Sequence, residues 1–523
     1  MKINKLVMGL AILLITLGVA SCSQAPAPTP EVVPCPTSEP CPECPTCPEP
    51  PPIPEPIVKE VPYEEAWATS PHNDSEAEAF IHWNEEDPKE VPAACATCHT
   101  TQGYQDFLGA DGSEAGKVDA NVPAPAGTVQ CAACHSSSTA TLSSVSFPSG
   151  ILLEDLGNEA TCMICHQGRA SKAQVDAALE KFDVTDDVDR VPAPVDDSTL
   201  GFINIHYYAA ASTLYGTAVQ GGYEYSGKSY DAKNDHVEGY DTCIGCHDSH
   251  TLEIKIDQCA TCHEEVASEA DLKNIRMIGS TPDYDGDGDI SESLADEIEG
   301  LRTLLMQAMQ TYTSETSGKT MVYTQTAYPY FFVDSDSDLR YSDADTERYT
   351  DWTARLLKAA YNYQVATKDP GAYAHGGKYI VQLLYDSIED LNQILTAPID
   401  LSTARRIDNG HFAGSEEAFR HWDGEEDGGI VSGSCSKCHS AAGLPFFIKE
   451  GVSVSQTASN GLNCTTCHND LATYSRYTVN DVIFPSGAKI SFGEANDNNL
   501  CINCHQGRES KSSVDMEIGR AHV

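Results

Sequence analysis

The sequence predicts a mainly α-helical fold with long loops and little or no β-sheet. Three observations carry that expectation. The pentapeptide Cys-x-x-Cys-His recurs eight times in 523 residues. Helical apolar spacing shows in the one long stretch that lacks the pentapeptide. A block of the chain, pentapeptides included, has been duplicated.

Taken in order, Lys2 and Lys5 precede an apolar run from Leu6 to Leu17. That run is too short to span a bilayer permanently and reads as a secretory signal over 1–21. Val19-Ala20-Ser21-Cys22 resembles a lipobox, which predicts lipidation at Cys22, and Ser23 resembles the outer-membrane sorting rule of diderm bacteria. Residues 22–66 form a Pro-rich stalk whose polyproline II rise of about 3.1 Å per residue gives a reach on the order of 100 Å. Its Cys35, Cys41, Cys44 and Cys47 lack a following His, so disulfides, between neighbouring chains or within one, are the favoured reading and a metal clip the alternative.

The pentapeptides begin at Cys95, Cys131, Cys162, Cys243, Cys259, Cys435, Cys464 and Cys501. Their second cysteines are Cys98, Cys134, Cys165, Cys246, Cys262, Cys438, Cys467 and Cys504, followed by His99, His135, His166, His247, His263, His439, His468 and His505. This is the attachment pattern of c-type haem: two thiols add across the vinyl groups, and the adjacent imidazole ligates the iron. Zinc would need two cysteine pairs closing on one ion, and thiol-exchange motifs rarely carry that His. Eight haems c are expected, five in 67–265 and three in 402–517.

The chain resembles the multihaem c-type cytochromes of bacterial respiratory and extracellular electron transfer, over nearly everything from Trp67 onward. The resemblance implies a multihaem cytochrome architecture with a core built largely around porphyrin. Export agrees with it, since c-type maturation takes place outside the cytoplasm.

The duplication pairs His72 and His82 with His411 and His421, at the same spacing, and Phe147-Pro148-Ser149-Gly150 with Phe484-Pro485-Ser486-Gly487. The third motif continues as Gln167-Gly168-Arg169 and Gln506-Gly507-Arg508. Residues 518–523 have no counterpart and reverse-translate into a common sequencing adapter, so the natural reading frame is expected to continue beyond a truncated second copy. Between the copies, 266–401 shows helical spacing from Asp296 to Tyr312, from Glu347 to Thr367 and from Ile380 to Leu395. Tyr328 to Phe332 reads as loop.

Seventeen His less the eight in motifs leave nine, and setting His522 aside with the tail leaves eight for eight irons. His72, His82, His206, His236, His250, His375, His411 and His421 are the expected distal ligands. Asn204–Ala211 and Ala374–Tyr379 resemble distal-ligand helices of the family. Bis-His ligation leaves no vacancy for a substrate, so such haems carry electrons. Asp283, Asp285, Asp287 and Asp289 match the start of a calcium loop, with Gly286 at the sixth position, although Leu294 replaces the closing Glu and leaves Asp296 or Glu297 to substitute.

The formal net charge of −46 excludes nucleic acid and favours cationic proteins, metal ions or Ca²⁺. The expected function is electron conduction by an exported lipoprotein at the outer membrane or cell surface. Its partners would be donor and acceptor cytochromes or extracellular metal or mineral acceptors. The alternatives are a reductase of nitrogen or sulfur oxyanions or metals with one open haem, and a homo-oligomeric cytochrome filament.

Overall fold

A computed structural model describes residues 61–521 apart from 238–239, 277–279, 281, 408–413, 424–428, 471–472 and 474. The signal, Cys22, the stalk cysteines, His411 and His522 lie outside the described residues. The chain divides into two units after Val61, and the architecture below belongs to Pro62–Val523.

The motifs sit on short helical turns. Ala93–His99, Cys131–Cys134, Cys243–Cys246 and Cys464–Cys467 are helical, and α1 (Glu159–His166) carries the third motif. Residues three apart are neighbours on a helix surface, so each turn aims both thiols the same way. The turns stay short because the backbone becomes extended at His247 and His468. Among the described residues, strands occur only as six two-stranded antiparallel pairs, so the chain is mainly helical with long connections.

The duplication is visible in those pairs. Glu90–Val91 pairs with Val122–Pro123, as Ile430–Val431 does with Gln456–Thr457. Val145–Ser146 and Leu152–Leu153 flank the Phe-Pro-Ser-Gly turn, as Val482–Ile483 and Lys489–Ile490 do in the second copy. Gly150 and Gly487 sit at φ 88° and 82°, which L side chains rarely adopt, and each donates its N–H to the preceding Phe carbonyl at 2.8 Å. The Gly therefore fixes the hairpin in both copies.

Three long helices fill the motif-free stretch. α2 (Leu294–Ser317) starts on a Ser293 capping box and stops at Gly318, α3 (Ala354–Lys368) starts on Thr353, and α4 (Ala372–Asn392) is kinked at Gly376. Leu301, Leu305, Leu356, Leu357, Ile380 and Leu384 are fully buried between them. This region lacks haem motifs and closes on side chains alone, so the expectation of a porphyrin-built core does not extend to it.

Three expectations are corrected. Glu347 to Thr353 is not helical, because Thr353 caps α3. Phe331–Val333 is a strand paired with Met321–Tyr323 rather than loop. His206 does not lie on a helix: His206 and Tyr208 have φ of 79° and 56°, left-handed values that end helical propagation, and the helix begins only at Ala210.

Candidate haem site

A continuous cavity of about 3660 Å³ is lined by the histidine and at least one cysteine of all eight motifs. Its walls are mostly apolar side chains and aromatic rings, a low-dielectric setting for a planar macrocycle.

Five motif imidazoles stand opposite a second imidazole. The ring centres are 5.9 Å apart for His99 and His206, 6.1 Å for His135 and His250, and 6.3 Å for His166 and His72. They are 6.5 Å apart for His247 and His375 and 6.1 Å for His263 and His236. A metal between two imidazoles needs about 6.3 Å, from about 2.0 Å per metal–nitrogen bond and about 1.1 Å from each nitrogen to its ring centre. The residues fit the group.

The outer ring nitrogens are fixed. Nδ1 of His99, His166 and His247 lies 2.8, 3.0 and 3.1 Å from the carbonyl oxygens of Ala79, Tyr208 and Leu252. A carbonyl only accepts, so Nδ1 carries the proton and Nε2 keeps its lone pair for a metal. Burial lowers His99, His166, His236 and His263, and it brings His72 and His206 down to about 4. Neutral imidazole is the ligating form. Burial also opposes a charged His375, but the Asp369 carboxylate at 2.9 Å outweighs it and raises that ring.

No family model matches the chain, and no solved structure does. Curated relatives do. The C-type polyheme cytochrome OmcB of Geobacter sulfurreducens is 25% identical over 419 residues, 64% of this chain and 50% of the relative. The C-type polyheme cytochrome OmcC of the same species is 26% identical over 64% of this chain and 48% of the relative. The chain is thus similar to polyhaem c-type cytochromes over 64% of its length. It spans about half the length of the curated relatives it matches.

Within the chain the third motif lies on the first. The Cys165 thiol approaches the Thr97 carbonyl at 3.8 Å, and in the second copy Cys504 approaches Lys437 at 3.6 Å. Glu159, at the start of α1, accepts the backbone N–H groups of Cys243 and Ile244 and holds the fourth motif against the third. Asn460, just before the seventh motif, accepts from Ala232 N at 3.2 Å and donates to Asp231 at 3.1 Å. That bond joins the second copy to the segment carrying His236. Sequence reading missed Glu159 and Asn460, since neither belongs to a motif.

His82 and His421 are placed differently. Each bonds through Nδ1 to the Glu one turn earlier, Glu78 at 2.8 Å and Glu417 at 3.1 Å, and their side chains are 52% and 60% exposed. Each lies edge-on to the next residue, Trp83 or Trp422, which in turn packs on His99 or His439. Among the described residues, neither ring is set opposite a motif histidine.

In the acidic loop, Asp283, Asp285 and Glu297 bring carboxylate oxygens within 4.8 Å of one another, as do Asp285, Asp287 and Glu292. Asp289 is in neither group and accepts from Ser291 instead. Glu297 also binds Arg276 and the N–H groups of Tyr284 and Asp285. Asp334, Asp336 and Asp345 form a further acidic group that the sequence reading did not pick out.

Proposed function

We propose that this chain is an exported cytochrome that conducts electrons through eight haems c, ligated by two imidazoles each at least in the first module. The observation that carries the reading is the set of five imidazole pairs at 5.9–6.5 Å. The thiols of each motif anchor the group and the motif His supplies the proximal ligand. His206, His250, His72, His375 and His236 supply the distal ligands for the first to fifth motifs. The duplication extends this role to His411, which stands to His505 in sequence as His72 stands to His166. Haem c, when bound, supplies a one-electron couple. The protein supplies two imidazoles at each of these sites, fixes their outer ring nitrogens and gathers the sites along one cavity, so that haem held there would exchange electrons with little rearrangement of the protein. His82 and His421 lie outside the five pairs.

The reading extends to other cytochromes as donor and acceptor, to extracellular metal or mineral acceptors, and to a lipid tether at Cys22 of an outer-membrane or cell-surface protein. No helix among the described residues is long and apolar enough to cross a membrane. Calcium is proposed at Asp283, Asp285 and Asp287, on the strength of the loop motif and the convergent carboxylates. A reductase with one open haem is the second reading, because among the described residues the ring contact of His439 is with Trp422 rather than with a second imidazole. A pyridine haemochrome assay with intact mass tests the stoichiometry: eight additions are expected, and five or fewer would defeat it. Low-spin spectra unmoved by cyanide support conduction, and cyanide binding at one haem would favour the reductase.

A further inference from the structure

α3 ends on two adjacent buried charges, Lys368 and Asp369, at 2% and 3% exposure. They face different imidazoles. The Lys368 ammonium has no hydrogen-bond partner and sits 3.7 Å from the Tyr207 ring centre and 4.0 Å from that of Tyr330. This aromatic cage flanks His206, which feels the Lys368 charge together with that of Arg169. The Lys368 carbonyl accepts from Tyr208 N at 2.8 Å, which ties the end of α3 to the His206 loop.

Asp369 turns the other way. Its carboxylate accepts from His375 Nδ1 at 2.9 Å, from Gly371 N at 3.1 Å and from the Thr213 hydroxyl. Gly371 is required there, since a Cβ would come within 2.7 Å of the His375 ring. Nδ1 of His99, His166 and His247 meets neutral carbonyls, whereas His375 meets a buried anion. His166 feels the same carboxylate through space.

We propose that Lys368 and Asp369 set a potential gradient within the first module, running from the His247/His375 site to the His99/His206 site. A carboxylate on Nδ1 gives the imidazole imidazolate character and favours the more positive, oxidised iron. A desolvated ammonium beside His206 favours the less positive, reduced iron. One electron leaves the His247/His375 iron, which goes from ferrous to ferric, and the same electron reduces the His99/His206 iron. No bond breaks, and the proton stays on His375 Nδ1. Lys368 and Asp369 are positioning residues that act through the ligands.

This inference rests on the bis-His reading, and redox titration of the full holoprotein separates the two. Wild-type protein whose five first-module haems are low-spin upholds the ligation; fewer haems or high-spin iron in the first module would overturn the ligation itself. With ligation upheld, Asp369→Asn should make one component easier to reduce by at least about ten-fold in its equilibrium constant, about 59 mV for a one-electron couple. Lys368→Met should move a different component the opposite way, and Asp369→Glu should restore the wild-type curve. Midpoints that stay fixed, or move in the same direction in both variants, overturn the gradient. If Asp369→Asn does not accumulate with full haem, Lys368→Met decides alone: a downward shift supports the proposal, and an unchanged curve refutes it.

Discussion

Replacing His375 with Ala separates ligation from packing at one site. The substitution removes the ring opposite His247 and leaves Asp369, whose side chain is 2% exposed, without its Nδ1–H donor. Losing a hydrogen bond to a buried charged group costs about 1.5–3 kcal/mol. Asp369 keeps donors from Gly371 and Thr213, so a loss of about 2 kcal/mol is expected. Guanidinium unfolding followed by circular dichroism reads that loss, while resonance Raman should show one further haem turned high-spin relative to wild type, with all eight still attached. Adding Asp369→Ala should recover part of the stability and none of the spin change. A spin-state balance unchanged from wild type in His375→Ala would refute the ligand assignment, and unchanged stability would refute the buried hydrogen bond.

The same logic gives contrasting outcomes for two other histidines. His206→Ala should turn one haem high-spin, whereas His82→Ala should leave the Raman spin markers unchanged. Leu305→Ala, inside the α2–α4 core, should cost about 2–5 kcal/mol without altering the haem count, as unfolding curves and a haemochrome assay would show. Burial, then the neighbouring carboxylates, push Asp285 up to about 6 and Glu292 up to about 7. The folded loop therefore holds protons that the unfolded chain has released, and cation-free stability should fall as pH rises through that range. Thermal melts at about pH 5 and about pH 8 should show calcium stabilising the protein mainly at the higher value; an equal effect at both would count against the loop.

What the sequence made legible is what is local. Cys-x-x-Cys-His is a contiguous signature, and the duplication and the helical spacing of Leu301, Leu305, Leu356 and Leu357 lie within short windows. Pairing was not legible, because His206 meets His99 and His375 meets His247 only once distant segments pack. A matching tally of histidines and motifs says nothing about which ring faces which, and it hid the exposed setting of His82 and His421. Glu159, Lys368 and Asp369 were invisible for a related reason: an acid or a lysine carries no signature until its neighbours are known. Thr353 misled the boundary of α3 because apolar periodicity extends past a cap that only backbone geometry reveals.

The shared cavity bears on how such a molecule is made. α2, α3 and α4 bury one another and need no prosthetic group to close, whereas the walls on either side face each other across space that only porphyrin would fill. Synthesis under haem shortage would therefore yield a hybrid, a folded helical hub flanked by two unfinished arms. In the motifs those arms carry ten and six unclaimed thiols. Chain like that is open to mispairing oxidation and to proteases, so haem supply, rather than translation, would set how much of the protein survives.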